Sequence, residues 1–599
     1  MVYEAFPIAN FKTGLYHARH PWMSPSDAFT ESNNAFTRRG VVTKRRGYTE
    51  LGQMSHMVGT AITGITQANP AVVTTSTAHG LSNGASHWLY DVVGMTEVNG
   101  NTYTTANVTA NTFELSGVDS TAFTAYTSGG KVGEFTTNAI TGLKEFRKSD
   151  GTLELLAFDT KRVAKFDTGT EEFEDITEAD VFTGDNEDFF WFTNWKNVAY
   201  MTNNVDRIMS WDGTTFDSTF DVDIDGNASN DVDTCLMILP YHERLILLCP
   251  TENSVVKPHR ARWSSIDDPS VWDDTITSGG GFVDAPTDEW IVSASFIKDQ
   301  LIVFFQHSVW RLRFTGDIDL PFVWELIDNT KKIDSTHAVV SNLSETFAYG
   351  VTGFVGTDGF QTYLLDPSVP DLSLDVNISK TSIFASQKYE RSDQIWMSCP
   401  EIGSLSSDKV LVFNPEEKNW AKFDLSLTVM GLTETLSTVT WDKESRTWDD
   451  ISETWNDFGN QAGYPVLLGG DQNGIIRRLD DTNDDDGADI AFEYKSSRLN
   501  PYWDKGKRAK LGWIDFLVTT DDSTELSVDF YIDFDETPYQ TLTLDFSGDN
   551  SDQVKIWKRL DSGAIGSSHR LRLYHTASNQ PVEIHAMVLN FQPAGDIHG

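Results

Sequence analysis

The chain has 599 residues and a mass of 67.0 kDa, room for about four domains at roughly 150 residues each or for one large β architecture with appendages. Aspartate and glutamate number 88 against 46 lysines and arginines, a formal net charge of −42. That balance excludes a surface-wide grip on nucleic acid, which needs positive charge to displace phosphate counterions. Hydrophobic residues at 39% and aromatics at 12% are enough to bury a core, so neither a disordered tail nor a collagen-like fibre fits.

The start, Met1 to Pro7, has no basic n-region followed by an apolar stretch, and nowhere do 18 apolar residues run together. The expectation is a soluble chain without a Sec-type leader or membrane span. Cys235, Cys249 and Cys399 are too few and too scattered for a disulfide framework or a four-ligand zinc site. They suit a reducing cytoplasm where the chain is made.

In chain order, the best helix signal is Ser24-Pro25-Ser26-Asp27-Ala28-Phe29, with Ser24 as cap, Pro25 at the first helical position and Asp27 at the positive helix end. Almost everything after it is short β-branched and aromatic runs between Gly, Asn and Asp, which predicts an all-β protein. The next feature is a basic run in an acidic chain, Arg38, Arg39, Lys44, Arg45 and Arg46. Read as surface charge it offsets neighbouring carboxylates. Read functionally it marks a partner or subunit interface, where arginine forks meet carboxylates. A second basic cluster is Lys495, Arg498, Lys505, Lys507, Arg508 and Lys510.

Residues 59–134 are rich in Thr, Asn and Gly and hold one lysine, Lys131, and no arginine. They predict a small inserted β-domain, a barrel or sandwich, set off from an N-terminal arm (1–58) that joins the main body. Within it Gly80-Leu-Ser82-Asn-Gly84 matches the G-x-S-x-G nucleophile elbow, but the strand-to-helix setting that the elbow needs is missing, so it reads as a turn.

From 135 to 480 an apolar strand, polar turn and second apolar strand recur. The equivalent strands begin near 153, 198, 245, 301, 351, 395 and 466 and return roughly every 50 residues, the spacing of β-propeller blades. Six or seven blades are expected. The longer last step holds an insertion near 438–460, where Trp441, Trp448 and Trp455 recur every seven residues without the second apolar position of a coiled coil. Asp221, Asp223 and Asp225, followed by Gly226, begin like a calcium loop, in which alternate carboxylates converge on a hard cation. The twelfth position is Val232 rather than Glu, so structural calcium on these three and a solvated loop both stay open. The acidic linker from Asp480 reads as self-repelling, and 485–599 alternate as a C-terminal β-sandwich. No sialidase-type S-x-D-x-G-x-x-W box occurs, and carboxylates are so numerous that no pair can be singled out for glycoside hydrolysis. No catalytic or cofactor-binding residue is assigned.

The N-terminal arrangement of Phe11-Lys-Thr-Gly14-Leu15, Pro21, Ser24 to Phe29, Asn34-Ala-Phe36 and Arg39 to Gly47 resembles the tail nozzle proteins of short-tailed bacteriophages, also called tail tubular protein B or packaged-DNA stabilisation proteins. Thr77 to Gly84, Val98 to Gly100 and Ser128 to Gly130 look like a small β module found in phage tail proteins. The resemblance implies a non-enzymatic virion protein, made and assembled in the host cytoplasm. It would form a ring, usually a hexamer, below the tail adaptor, retaining the packaged genome and providing the channel for its ejection. The implied partners are further copies of the chain, the adaptor protein, tail fibres, and genomic DNA that passes without sequence-specific binding. The alternative from a different class is a carbohydrate-binding or glycan-degrading propeller.

Overall fold

The computed structural model describes residues 3–54, 56–177, 180–225, 231–274, 279–318, 320–350, 353–434, 465–520, 524–547 and 555–597. The chain is all-β, and its regular helical elements among these residues are short 3-10 turns. It divides into two compact units, residues 53–138 and the remainder.

The larger unit is built on a β-propeller. Seven successive sheets among the described residues begin with the strands Ile140–Arg147, Trp191–Trp195, Val232–Tyr241, Ile291–Ile297, Val340–Asn342, Ala385–Tyr389 and Val429–Thr433. These first strands adjoin one another around the ring, and Val429–Thr433 packs against Ile140–Arg147 to close it. Blades three and four also share one core, and the Tyr241 hydroxyl of blade three donates to the Leu312 carbonyl of blade four at 3.1 Å.

The second strand of each blade is covered on both faces by neighbouring blades. Leu245–Leu248 and Leu301–Phe305 are therefore buried at every position, which is why they read as unbroken apolar runs rather than as alternation. The outermost strand of blade one, Glu172–Asp175, has one edge free and alternates exposed glutamates with half-buried residues, the charged edge that discourages further pairing. The repeat near 351 falls one strand late: the second strand of blade five is Glu345–Gly350, and Gly353–Thr357 is its third. From Thr346 onward both strands are buried, so their hydropathy is alike.

Blade seven takes its fourth strand from the other end of the chain. Tyr48–Gln53 forms the outer edge of Val429–Thr433, Val466–Gly470 and Ile475–Leu479. The tryptophan repeat belongs to the connection between the first two of these strands and lies outside the described residues.

Blade six continues beyond the propeller. Its outer strand Asn419–Phe423 pairs with Ala35–Arg38 through Lys422 and Ala35, and Ala35–Arg38 pairs with Val41–Lys44. Val41–Lys44 in turn joins Val582–Asp596 of the C-terminal sandwich. The second sandwich sheet also recruits N-terminal strands, Gly14–Leu15 and Ala28–Asn33, beside Ile490–Ser496. The helix expected over 24–29 is therefore a turn leading into a strand. The Asp27 carboxylate accepts from the backbone and hydroxyl of Thr13 instead of capping a helix. Phe29 is buried edge-on against Tyr494 at 4.5 Å, with Phe11 beside both. Burying these rings outweighs a weak capping signal.

The acidic linker is not self-repelling. The Asp485 carboxylate receives two hydrogen bonds from Arg45, at 2.7 and 2.6 Å, while Asp481 accepts from Thr49 and Asp480 from Tyr389. Gly47 permits the close approach, because a Cβ there would collide with the Asp484 carbonyl.

Many of the other acids have a local task. Asp150, Asp212 and Asp358 each sit in a blade hairpin and accept backbone N–H groups two or three residues on. This is the turn geometry for which aspartate is favoured.

The smaller unit is a closed six-stranded barrel, in the order Asn101–Ala106, Thr112–Leu115, Val72–Thr75, His56–Ile65, Ser128–Thr136 and Ser86–Val93. Its core includes Val73, Leu89, Met95, Phe113 and Leu115.

Two outcomes test this architecture. Arg45→Met should lower stability by about 3 kcal/mol by leaving the partly buried Asp485 carboxylate unpaired, read as a lower denaturant midpoint. Arg45→Lys should recover only part of it, since an ammonium cannot reproduce the two-pronged pairing. For acid, hydrogen bonds from the following backbone hold the Asp150, Asp212 and Asp358 carboxyls below their ordinary value. Their contribution to stability is complete above the unfolded-state value of about 4 and lost as pH falls toward the folded one. Unfolding midpoints should therefore hold from pH 7 to about 5 and drop below about 4. Asp212→Asn with Asp358→Asn should shrink that drop.

Candidate functional site

Two regions carry chemistry: the basic seam where the N-terminal segment joins propeller and sandwich, and the propeller axis.

At the seam the five predicted interface residues separate into two groups. Lys44 and Arg45 are buried at 3% exposure each and bonded within the chain, which corrects their reading as interface residues. The Lys44 ammonium donates to the Ala577 and Gln580 carbonyls, both at 3.1 Å. Arg45 donates through Nε to Asn34 and through its two terminal nitrogens to Asp485 and to the Arg46 and Asp424 carbonyls. Nothing of that fork is left for a partner.

Arg38, Arg39 and Arg46 are exposed. Arg38 donates to the Arg391 carbonyl at 3.3 Å and Arg46 to the Asp481 carbonyl. Arg38, Arg46 and Arg391 all act on Asp480, whose carboxyl burial nevertheless pushes up. The outer edge of blades six and seven thus presents several guanidinium groups around one sequestered acid. The second basic cluster is mostly consumed too: Lys495 and Arg498 pair with Glu31 and Glu536, and Lys507 with Asp596.

The propeller axis holds groups that no local pattern flagged. His337, in the connection from blade four to blade five, packs its ring on Phe189 at 5.6 Å and on Trp191 of blade two at 6.1 Å. His337 stands just before blade five, which lies three places from blade two, as far as a seven-membered ring allows, so the contact crosses the axis. A second crossing joins Lys380 and Ser382, before blade six, to Glu187, before blade two. The two hydrogen bonds lower the Glu187 carboxyl below its usual range. Lys144 projects from the first strand of blade one, and burial lowers its ammonium. Burial, with the Lys144 charge second, lowers His337 to about 3, so the imidazole is neutral at physiological pH. Both side chains keep partial solvent contact while protein crowds them on every side. His337 is an ordinary residue of a polar loop, and only ring closure brings it to Phe189 and Trp191.

Asp221, Asp223 and Asp225 lie on the loop before blade three. The Asp223 carboxylate accepts the Asp225 backbone N–H at 3.1 Å, and positions 226–230 of the loop lie outside the described residues. Among the described residues no three His, Cys, Asp or Glu side chains are grouped to hold a metal ion. Ser82 of the G-x-S-x-G match stands in an exposed turn before the strand Ser86–Val93, with no helix after it. No helix among the described residues is long and apolar enough to cross a membrane.

No curated protein matches the chain in sequence. Residues 68–135, within the barrel unit, match the family model of the ubiquitin-activating enzyme E1 FCCH domain. Among solved structures, the chain is similar to an exo-β-1,3-galactanase from Phanerochaete chrysosporium crystallised with galactose. The TM-score is 0.22 at 10% identity, covering 67% of this chain and 95% of that one. It is also similar to a gluconolactonase from Xanthomonas campestris, with a TM-score of 0.27 at 9% identity, covering 44% of this chain and 84% of that one.

The axial crossing is testable. Glu187→Ala should release Lys380 and Ser382 at a cost of about 1 kcal/mol. Hydrogen exchange should rise over 378–383 while the blade strands keep their protection.

Proposed function

We propose that this protein is a structural component of the tail of a short-tailed bacteriophage, a nozzle whose copies form a ring around the path of the genome. The observation that carries the reading is the role of the N-terminal segment. The residues that resemble the nozzle family, from Phe11 to Gly47, are those that build part of both sandwich sheets, extend blade six and hold the linker through Arg45. The resemblance thus falls on the part of the chain that sets its architecture.

Two physical arguments support it. The axis is crossed by His337 and by the Lys380–Glu187 pair, so a passage for nucleic acid is better made between copies than through one propeller. With a formal charge of −42, such a passage repels phosphates and lets DNA slide. In this reading the exposed Arg38, Arg39 and Arg46 meet a neighbouring copy or the adaptor, and fibres attach outside.

The alternative, a propeller that binds or degrades glycans, calls for paired carboxylates at a substrate cleft. The axis instead offers an ammonium, a neutral imidazole and aromatic rings, with Glu187 already bound to Lys380 and Ser382.

Electron microscopy and light scattering of the purified chain, alone and with its virion, test the proposal. The expected result is a closed ring with an open axis, labelled in the virion tail below the head. Arg38→Glu, Arg39→Glu and Arg46→Glu together should weaken assembly at least tenfold, about 1.4 kcal/mol, with monomer melting unchanged. A monomer that cleaves a polysaccharide would overturn it.

A further inference from the structure

Most arginines of this acidic chain are ion-paired, and Arg147, Arg162, Arg260, Arg311, Arg477 and Arg559 each contact a carboxylate. Arg38, Arg39, Arg46 and Arg391 are exposed, and none forms an ion pair with a described residue. Contacts fix their grouping. Arg38 donates to the Arg391 carbonyl at 3.3 Å, Arg39 follows it at the tip of the hairpin that joins Ala35–Arg38 to Val41–Lys44, and Arg46 donates to the Asp481 carbonyl. The acid beside them, Asp480, is already held by the Tyr389 hydroxyl at 2.8 Å. One occupied acid thus faces a group of free guanidinium forks.

A surface of the opposite sign lies on the outer strand of blade one. Glu171, Glu172 and Glu174 are exposed, and none is ion-paired with a described residue. Across the ladder Glu172 stands opposite Asp167 and Glu174 opposite Lys165, so carboxylates remain in surplus. The outer strands of blades three and four differ, because Asp284 is taken by Arg260, and Glu325 by Arg311 and Arg313. The far edge of the blade-one strand pairs with no other strand, which leaves it open to a neighbour.

The two surfaces do not satisfy each other within one molecule. The strand Tyr48–Gln53 begins just after Arg46, and near its other end a Cβ on Gly52 would touch the Phe173 ring of blade one. The step from Arg46 to Gly52 is about 20 Å of extended chain, more than an arginine and a glutamate side chain can bridge.

We propose that the arginine surface of one copy docks on the acidic edge of blade one in the next, with Arg38, Arg39, Arg46 and Arg391 pairing with Glu171, Glu172 and Glu174. Guanidinium forks suit carboxylates that recur about 7 Å apart along one face of a strand. Both halves of the pair are present in every copy, so a second copy of this chain is a sufficient partner. Two different surfaces meet, so the contact repeats from copy to copy and can close into a ring. The inference rests on the ring reading above and names the surface that the arginines meet.

Sedimentation and electron microscopy of the full chain test it. Arg39→Glu with Arg391→Glu should weaken association at least tenfold, and Glu172→Arg with Glu174→Arg should do the same, each with an unchanged monomer Tm. All four substitutions together restore opposite charges across the contact and should bring association back to within about threefold of wild type. A glutamate variant that assembles as wild type does overturns this pairing and leaves the ring reading intact. So does a combined variant that melts normally and recovers nothing. A wild-type chain that stays monomeric at every concentration overturns both.

Discussion

Arg45 sits where three parts of the chain meet. Its Nε binds Asn34, one terminal nitrogen binds Asp485 and the Arg46 carbonyl, and the other binds Asp485 and the Asp424 carbonyl. A guanidinium buried without these acceptors would be heavily penalised. The N-terminal segment, the exit from blade six and the linker to the sandwich must therefore adopt one relative arrangement to satisfy it. Around that point the same segment supplies the last strand of blade seven and the strands that carry blade six into the sandwich. Blade seven would lose its outer strand, and both sandwich sheets part of their pairing, without residues from the first tenth of the chain.

That dependence changes the meaning of the charge. An excess of this size suggests a repelling surface, and the net field is indeed strongly negative. Yet Asp485 is half of a buried pair, Asp480 is a sequestered acceptor, and the hairpin aspartates terminate backbone donors that would otherwise need water. The acidity is partly a folding device. Blade hairpins need acceptors at short range, and aspartate supplies one at several of the turns.

The axis shows the complementary case. Where neighbouring blades touch, side chains are apolar and interlocked, and the cores run from one blade to the next. At the centre the chain places a lysine, a histidine and two aromatic rings, and spans the opening with connections from opposite sides of the ring. A packed centre stiffens the propeller.

The sequence by itself determined the fold class, the blade spacing and the sandwich, because hydrophobic periodicity is local. Leu245–Leu248 and Leu301–Phe305 announce buried strands, and the alternation in Leu526–Ile532 announces a half-covered one. It could not tell the second strand of blade five from the third, since both are buried along almost their whole length. It also offered a helix at Ser24 to Phe29, where local capping chemistry was the only information to hand. Which of five neighbouring basic residues stays exposed, and that His337 meets Phe189 and Trp191, only the tertiary structure decided. Exposure and proximity depend on residues hundreds of positions away, such as Asp485 for Arg45, and no local pattern encodes the closing of a ring.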